Sequence, residues 1–521
     1  MTTAAEYLTM LSANDICVWL EGGQLRYHAK KGALSAQELA TLRTMKEAIV
    51  AQLRNASAPA PLSFQQHWLL GLMRSHEDWP QTLGFALRLR GEVETQILER
   101  ALERVAACHG ALRTRIVAVE ANFVQQIDAA AWIPLDLVQV PGHSITEREH
   151  NLLGVIEKLT ALPVDPAGPL MRASLLQLST REPGPSGQVS APMSVQVLVL
   201  VFSRLIADCL SVGEVLRTLW AVYGDIREGV PSGRPVAALK YHDYTLWQHA
   251  TDAQWQHKHL AHWTGHLADA APVRWPVQEC PRADLNGPSR SCEISFGTVL
   301  SAGLRELARQ TRSLPALVAL ATYVGFISQW CEQKDFIVPF LVAGRNSEYE
   351  SVVGYFSHVL YLRIRLGDTE TFAELLQRVS TEFYRAVFHQ DFGRLAQQKP
   401  ELLRGTLCQW LSWHPTEIGG LTEHEPDRRL GFARQSVRFQ TPLDLTNVPP
   451  GETALEIILF EAAGDIGALA LYGERQFSEA TMARMMGALR RAAEQFVADP
   501  HLPVLRQALQ PTGPPVTGWV A

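Results

Sequence analysis

The sequence predicts an α/β protein, because strand-like apolar runs alternate with amphipathic helical patterns from about residue 62 to residue 498. Residues 194–202 (SVQVLVLVF) are typical of a buried strand, and a helical pattern follows over Val212–Tyr223. The second half repeats this order with an apolar helix over Leu314–Trp330 and a strand over Phe336–Val342. Two such halves predict two lobes, with the break around residues 270–295.

The first 54 residues have the pattern of a small separate unit. It comprises a helical segment at residues 7–11, strands at 16–20 and 24–28, and, after an N-cap at Ser35, a helix that ends near residue 54. The stretch Asn55–Pro61 (NASAPAP) is rich in small residues and proline, which is typical of a linker. We therefore expect residues 1–54 to form a domain, residues 55–61 a linker, and the rest the body of the protein.

Composition narrows the classes of function. Apolar residues make up 47% of the 521 residues and the net charge is −6, which excludes the strongly basic field of a nucleic-acid-binding protein. The N-terminal sequence lacks the pattern of a signal peptide, and Leu314–Trp330 is short for a membrane span. The seven cysteines form no CxxC pair, which argues against zinc or a disulfide framework. We expect a cytoplasmic protein without a membrane partner.

Six short segments, in order, carry the resemblance of the body to a known family. They are Pro61–Trp68 (PLSFQQHW), His109–Ile116 (HGALRTRI), Tyr241–Trp247 (YHDYTLW), Gly344–Asn346 (GRN), Val353–His358 (VGYFSH) and His389–Asp391 (HQD). In this order they resemble the motifs of condensation domains of nonribosomal peptide synthetases. The body is therefore identified as a member of that superfamily.

The resemblance implies a particular architecture. Two lobes with the chloramphenicol-acetyltransferase fold form a V, here residues 62–280 and 281–510, followed by a tail at 511–521. A tunnel runs between the lobes and admits the phosphopantetheine arms of partner carrier proteins, so the protein needs no cofactor of its own. The expected partners are acyl or peptidyl carrier proteins.

The N-terminal unit resembles a TubC-type docking domain. The segments Trp19–Tyr27 (WLEGGQLRY) and Lys31–Ser35 (KGALS) carry this resemblance. It implies an αββαα unit, often a homodimer, that grips the C-terminal tail of an upstream synthetase. An exposed strand edge can take up such a tail by backbone pairing. The residues expected to bind it are Trp19, Arg26, His28, Lys30 and Lys31, although the basic ones also fit a merely solvated surface.

The segment that should carry the chemistry departs from the family pattern. Condensation domains have an HHxxxDG loop, whose second histidine positions or deprotonates the attacking amine. Here Ser203 and Arg204 replace both histidines, Asp208 retains the aspartate and Cys209 replaces the glycine. An arginine stays protonated at physiological pH and cannot accept a proton. The sequence therefore argues against standard histidine-dependent condensation.

Other residues near this loop suggest structural or replacement roles. The resemblance implies that Asp208 forms a salt bridge with Arg113, and we expect Arg204 to share the same carboxylate. His358 stands where the family has asparagine, so it is a candidate replacement base, with a structural histidine as the alternative. Cys209 fits a packing residue better than a nucleophile, and Ser203 lacks the imidazole partner that a nucleophilic serine needs.

Three of the histidines in residues 257–266 lie on one helical face, but no cysteine or carboxylate completes a metal site, so none is expected. Two functional hypotheses remain. The protein is either a scaffold that docks to an assembly line, holds a carrier-bound chain and recruits a tailoring enzyme, or a noncanonical acyltransferase that forms an amide or ester. The openness of the tunnel near Arg204 distinguishes them.

Overall fold

The computed structural model describes most of the chain. The described residues are 7, 10–11, 17–21, 24–28, 35–54, 59–76, 81–91, 93–119, 122–128, 133–178, 195–230, 240–276, 289–390, 394–415, 424–427, 429–437, 447–448 and 453–506.

The N-terminal unit contains the predicted hairpin and C-terminal helical part. Its elements are β1 (Cys17–Glu21), β2 (Gln24–His28), α1 (Ala36–Thr44) and α2 (Lys46–Arg54). Ser35 caps α1 by accepting a hydrogen bond from the backbone of Glu38, whose side chain accepts one from the Ser35 backbone. The single helix that the sequence predicts here is divided at Met45, which leaves helical geometry.

A six-stranded sheet forms the framework of the first half of the body. Its strands are β4 (Thr82–Gly91), β7 (Leu135–Gln139), β8 (Met171–Gln177), β9 (Val195–Ser203), β14 (His424–Asp427) and β15 (Phe432–Ser436). The strand order is β14-β15-β4-β9-β8-β7, with β7 parallel to β8 and all other pairs antiparallel. The helices of this half are α3 (Phe64–Ser75), α4 (Thr95–Cys108), α5 (Ile145–Ala161), α6 (Cys209–Arg227) and α7 (Tyr241–His266).

The central strand β9 explains its continuous apolar sequence. Leu198, Leu200 and Phe202 belong to the core that includes residues of α4 and α6, whereas Val197 and Val199 belong to the core that includes residues of α5. Both faces of β9 are therefore covered by helices, and every residue from 196 to 203 is buried. This confirms the predicted buried strand.

A second six-stranded sheet forms the framework of the second half. Its strands are β10 (Ser289–Ser295), β11 (Asp335–Val342), β12 (His358–Arg365), β13 (Leu407–Leu411), β16 (Leu455–Ala462) and β17 (Asp465–Gly473), in the order β10-β17-β16-β13-β11-β12. The helices are α8 (Gly297–Gln310), α9 (Pro315–Trp330), α10 (Phe372–Phe388), α11 (Arg394–Gln398) and α12 (Glu479–Ala498). A three-stranded sheet pairs β3 (Ala60–Pro61), β6 (Asn122–Ile127) and β5 (Thr114–Val119).

The apolar helix α9 belongs to the core of the second half, and its residues 317–328 are buried. Among the described residues, no single helix is long and apolar enough to cross a bilayer. Helices α8 and α9 meet that test of length and composition only as a pair bent by 108°.

Two strands of the second half lie in the sheet of the first. Strand β15 pairs antiparallel with β4, from Phe432 opposite Gly91 to Ser436 opposite Leu87. The Phe432 ring packs edge-on against Trp220 at 5.7 Å and Tyr223 at 5.3 Å. The predicted division at residues 280 and 281 therefore assigns residues 424–436 to the half opposite the one whose sheet they complete, because strand pairing over this sequence distance leaves no local signal.

Candidate functional site

The degenerate motif loop joins β9 to α6. Ser203 ends β9, and its backbone N–H donates to the Leu170 carbonyl at 2.7 Å. The Ser203 hydroxyl accepts from the Leu205 N–H at 3.3 Å. Asp208 caps α6 by accepting from the Ser211 N–H at 2.8 Å. All residues from Ser203 to Asp208 are buried, so the loop is an internal feature of the protein.

Asp208 forms its salt bridge with Arg345. The Arg345 Nη2 lies 2.5 Å from Asp208 Oδ1, and both side chains are 5% exposed. The same nitrogen lies 2.7 Å from the Ser211 hydroxyl, and the Phe356 N–H donates to Asp208 Oδ2 at 3.2 Å. The guanidinium also lies over the Phe356 ring, 4.2 Å from its centroid. The motif aspartate thus joins α6 to the segment that precedes β12.

The predicted partner of Asp208, Arg113, is wrong. Its Nε donates to the Ala106 carbonyl at 2.9 Å and its Nη1 donates to the Asp128 carbonyl, so its guanidinium serves local backbone groups. The expected shared cluster of Arg113, Asp208 and Arg204 is wrong in its Arg113 part for this reason. The correct arginine belongs to the GRN segment, which the sequence identifies as a motif without indicating this role.

Arg204 lies within the protein at the position of the second motif histidine. Its side chain is buried, and its backbone N–H donates to the Gln81 carbonyl at 3.0 Å. Its charge acts to lower the pKa values of Cys209, Tyr355 and Glu456, against the larger effect of burial, which raises all three. Arg204 is therefore close to groups from the motif loop, from the segment before β12 and from the second sheet.

Cys209 and Leu210 are exposed, although the residues on both sides of them are buried. Enough protein surrounds Cys209 for burial to raise the pKa of its thiol to about 11, with a smaller contribution from the Asp208 charge. A side chain that water reaches while protein encloses it lines an internal cavity. The raised pKa also makes Cys209 a poor nucleophile at neutral pH, in agreement with the interpretation from sequence.

His358 is the first residue of β12 and is completely buried. Its Nδ1 lies 3.2 Å from the Phe356 carbonyl oxygen. Burial lowers the pKa of His358 to about 4, so the imidazole is a weak base at neutral pH. Gly344, with φ of +65°, makes room for this ring, since a Cβ there would approach Nδ1 to 2.6 Å. Its role as a replacement base stays a prediction.

A polar network from α3 and α7 supports the motif loop. The Gln66 side chain donates to the Leu205 carbonyl at 2.8 Å. The Ser63 and Tyr241 hydroxyls lie 2.7 Å apart, and the Tyr241 hydroxyl also lies 2.5 Å from the Tyr355 carbonyl oxygen. Helices α3 and α7 thus bind the loop and the segment that faces it.

Glu456, on β16, is a buried carboxyl that sequence reasoning missed. It accepts from the Asn447 N–H at 2.9 Å, from the Asn447 side-chain amide, and from the Gln409 side-chain amide at 3.3 Å. Burial raises its pKa to about 7, against the opposing effects of the Asn447 hydrogen bonds and of the Arg204 charge. The signal that could have revealed it is a single charged residue in an apolar strand, LEIILF.

The histidines of α7 form a cluster with the HQD segment. The His262 ring stacks on His389 at 3.7 Å and on His266 at 5.2 Å, and His259 Nδ1 lies 2.9 Å from His389 Nδ1. The Trp263 indole donates to the His389 carbonyl at 2.7 Å. Within the ranges that the structure describes, no group of three or more potential ligands could hold a metal ion.

The structure locates part of the predicted docking surface. Trp19 on β1 lies opposite Arg26 on β2, and His28 lies opposite Cys17. Lys30 and Lys31 lie outside the described residues.

Two six-stranded sheets flanked by helices, with a buried motif loop at the end of β9, define a protein of the chloramphenicol-acetyltransferase-like class. The family model described as "Condensation domain" matches residues 57–400, and that of the TubC N-terminal docking domain matches residues 5–55. The chain belongs to the condensation-domain family and begins with a docking domain of the TubC type.

Similar proteins include large synthetases. A linear gramicidin synthase of Brevibacillus parabrevis is 28% identical over 86% of this chain and 9% of its own length, and chondramide synthase cmdD of Chondromyces crocatus is 27% identical over 80% and 10%. The chain thus spans about a tenth of these relatives.

Solved structures share the fold. The X-domain from teicoplanin biosynthesis, in complex with OxyB, has a TM-score of 0.70 at 20% identity over 88% of this chain and 97% of its own. The first condensation domain of the calcium-dependent antibiotic synthetase has a TM-score of 0.64 at 17% identity over 86% and 98%.

Proposed function

We propose that this protein docks to an upstream synthetase of a nonribosomal peptide, or hybrid polyketide and peptide, assembly line and binds acyl or peptidyl chains on carrier proteins without histidine-dependent condensation. Docking involves residues 1–54, which take up the C-terminal tail of the upstream protein and pair as a homodimer. The bound chains reach the protein on the phosphopantetheine arms of the carriers, in the cytoplasm.

The observation that carries this proposal is the buried arginine at the position of the second motif histidine. Because a guanidinium keeps its proton, Arg204 cannot act as the general base. Loss of a positioned general base typically costs about 10²–10⁴-fold in rate. Meanwhile Asp208 retains a buried salt bridge and a helix cap, so the loop keeps its structure while it lacks both imidazoles.

Recruitment of another enzyme is part of this proposal. Its support is the shared fold of the teicoplanin X-domain, which was solved in complex with a second protein, OxyB. A fold-level analogy of this kind supports a hypothesis without assigning the partner. We infer that a tailoring enzyme binds this chain while a carrier protein holds its substrate.

The binding function can be tested with a carrier protein that bears a nonhydrolysable acyl-pantetheine amide. We expect the full chain to bind it, and to bind the upstream tail peptide through residues 1–54. Lys30→Glu with Lys31→Glu should weaken tail binding at low salt, because rim charges steer association. Equal affinity for loaded and unloaded carrier would contradict chain binding.

The second candidate function is acyl transfer by noncanonical chemistry, which forms an amide or ester. The accessible and enclosed Cys209 favours it, because a cavity beside the motif loop offers space for a reacting chain. Correct positioning of reactants supplies much of the acceleration in acyl transfer even without a base. The test is incubation with a loaded carrier and an amine, followed by intact-mass detection of chain transfer.

A further inference from the structure

Glu456 is a buried carboxyl without a cationic partner at hydrogen-bond distance among the described residues. The residue is 1% exposed, and its two oxygens accept only from amide groups of Asn447 and Gln409. Buried carboxylates are usually paired with cations, because amide donors alone compensate poorly for lost hydration. Such an arrangement calls for a role beyond stability, since an apolar residue would serve β16 better.

The strand orients this carboxyl away from the helices of the second half. Leu455, Ile457 and Leu459 belong to the large core that includes residues of α9 and α12. Ile458 and Phe460 belong to a separate small cluster with residues of β17. Because side chains alternate along a strand, Glu456 shares the face of Ile458 and Phe460, opposite the helix-covered face.

Arg204 reaches this face from the other half of the molecule. Its guanidinium is near enough to Glu456 for its charge to favour the carboxylate, against the burial that raises the pKa of Glu456 to about 7. The same guanidinium influences the pKa of Cys209, which lines the internal cavity. Glu456, Arg204 and the cavity are therefore neighbours.

We propose that Glu456 is the proton acceptor of an acyl transfer in this cavity, in place of the missing imidazole. This inference rests on the second candidate function. The nitrogen of an attacking amine forms a bond with the carbonyl carbon of a thioester, and the carbon–sulfur bond breaks. The proton leaves the nitrogen for the Glu456 carboxylate and passes on to the departing thiolate, so the step needs no other reactant.

Asn447 covers the carboxyl and supplies two of its three hydrogen bonds. A general base acts directly or through one water molecule, and hydrogen bonds at a catalytic group commonly rearrange when substrate binds. Proton transfer therefore proceeds through one water, or after the Asn447 amide turns away. Arg204 contributes by favouring the ionised form of the base.

The experiment measures aminolysis of octanoyl-N-acetylcysteamine by glycinamide with the full chain, from pH 5.5 to 9. We expect the rate to rise with pH along a limb near pH 7, where Glu456 ionises. Glu456→Gln should lower the rate by about 10²–10⁴-fold and remove that limb. Glu456→Asp should retain the limb at a reduced rate. Arg204→Met should move the limb to higher pH, an effect that a purely structural role for Glu456 would not produce.

Glu461→Gln is the matched control, because Glu461 lies on the same strand and pairs with Arg305 at 2.9 Å. Transfer by the wild type that is unaffected by Glu456→Gln would overturn the proposal and leave the transfer function intact. If the wild type transfers no chain to glycinamide while it still binds loaded carrier, the role of Glu456 is overturned and the binding function stands. Should Glu456→Gln fail to fold, the Glu456→Asp and Arg204→Met profiles decide alone.

Discussion

Asp208 has a structural role in this protein that survives the loss of the motif histidines. Its carboxylate caps α6 and binds Arg345, so one side chain holds two segments together. Removing one member of a buried pair leaves the other charge without compensation, which makes the pair sensitive to single substitutions.

Replacing Asp208 with asparagine should therefore lower the free energy of unfolding by about 3–5 kcal/mol. Arg345→Met should have a similar cost, while the double variant should cost clearly less than the sum, because neither charge then remains buried alone. Denaturant titration of the three variants measures this. Additive losses would show that Asp208 and Arg345 act independently.

Glu456 makes the stability of the protein depend on pH. Its pKa is raised from the ordinary value of 4.5 to about 7, so the folded protein binds a proton more tightly than the unfolded chain does. The stability that this group contributes is therefore full below pH 4.5 and decreases as the pH rises through 7.

Glu456→Gln, which resembles the protonated carboxyl, should remove this loss. The variant should be more stable than the wild type above pH 8, by up to ~3 kcal/mol, and close to it below pH 5. Thermal unfolding across this range measures the difference. A constant difference at all pH values would show that the carboxyl does not titrate with folding.

At the scale of elements, helix α7 and the end of α10 meet in the histidine cluster. Burial lowers the pKa values of His262 and His266 to about 4, and nearby Arg385 lowers them further. His389 and His259 face the same rings, and Glu382 lies 3.5 Å from His266. The cluster is therefore neutral at pH 7.

The lowered pKa values mean that the unfolded chain takes up protons more readily than the folded cluster. Stability from the cluster is full above pH 6.5 and decreases as the pH falls towards 4. Replacing His262 and His266 together with glutamine should flatten this acid limb of the melting temperature, whereas His257→Gln, at an exposed position, should not. An unchanged acid limb in the double variant would contradict the assignment.

The elements differ in how well the sequence predicts them. Strand β9 and helix α9 are predictable because burial on all sides requires a continuous apolar run. The pairing of β15 with β4 is not, since those strands lie more than three hundred residues apart and a strand carries no local mark of its partner. The Asp208–Arg345 pair escapes prediction for the same reason, and Glu456 because one carboxyl in a strand says nothing about its neighbours.

At the scale of the whole molecule, the docking domain and the body match separate family models. The linker at residues 55–61 carries the composition of a flexible connection. Domains joined in this way usually keep their own cores.

Removal of residues 1–58 should therefore leave the melting temperature of the body within about 2 °C of the full chain. Differential scanning calorimetry of both chains provides the measurement. The truncated chain should lose binding of the upstream tail and keep binding of loaded carrier. A clearly lower melting temperature would show that the first unit packs on the body.

The strand exchange between the halves has a consequence for synthesis on the ribosome. Strand β4 leaves the exit tunnel early, yet its neighbour β15 is translated more than three hundred residues later. At typical elongation rates the nascent chain then waits on the order of tens of seconds with one edge of its first sheet open. An open strand edge is a template for pairing with other chains, so chaperone cover during translation should decide the yield of folded protein.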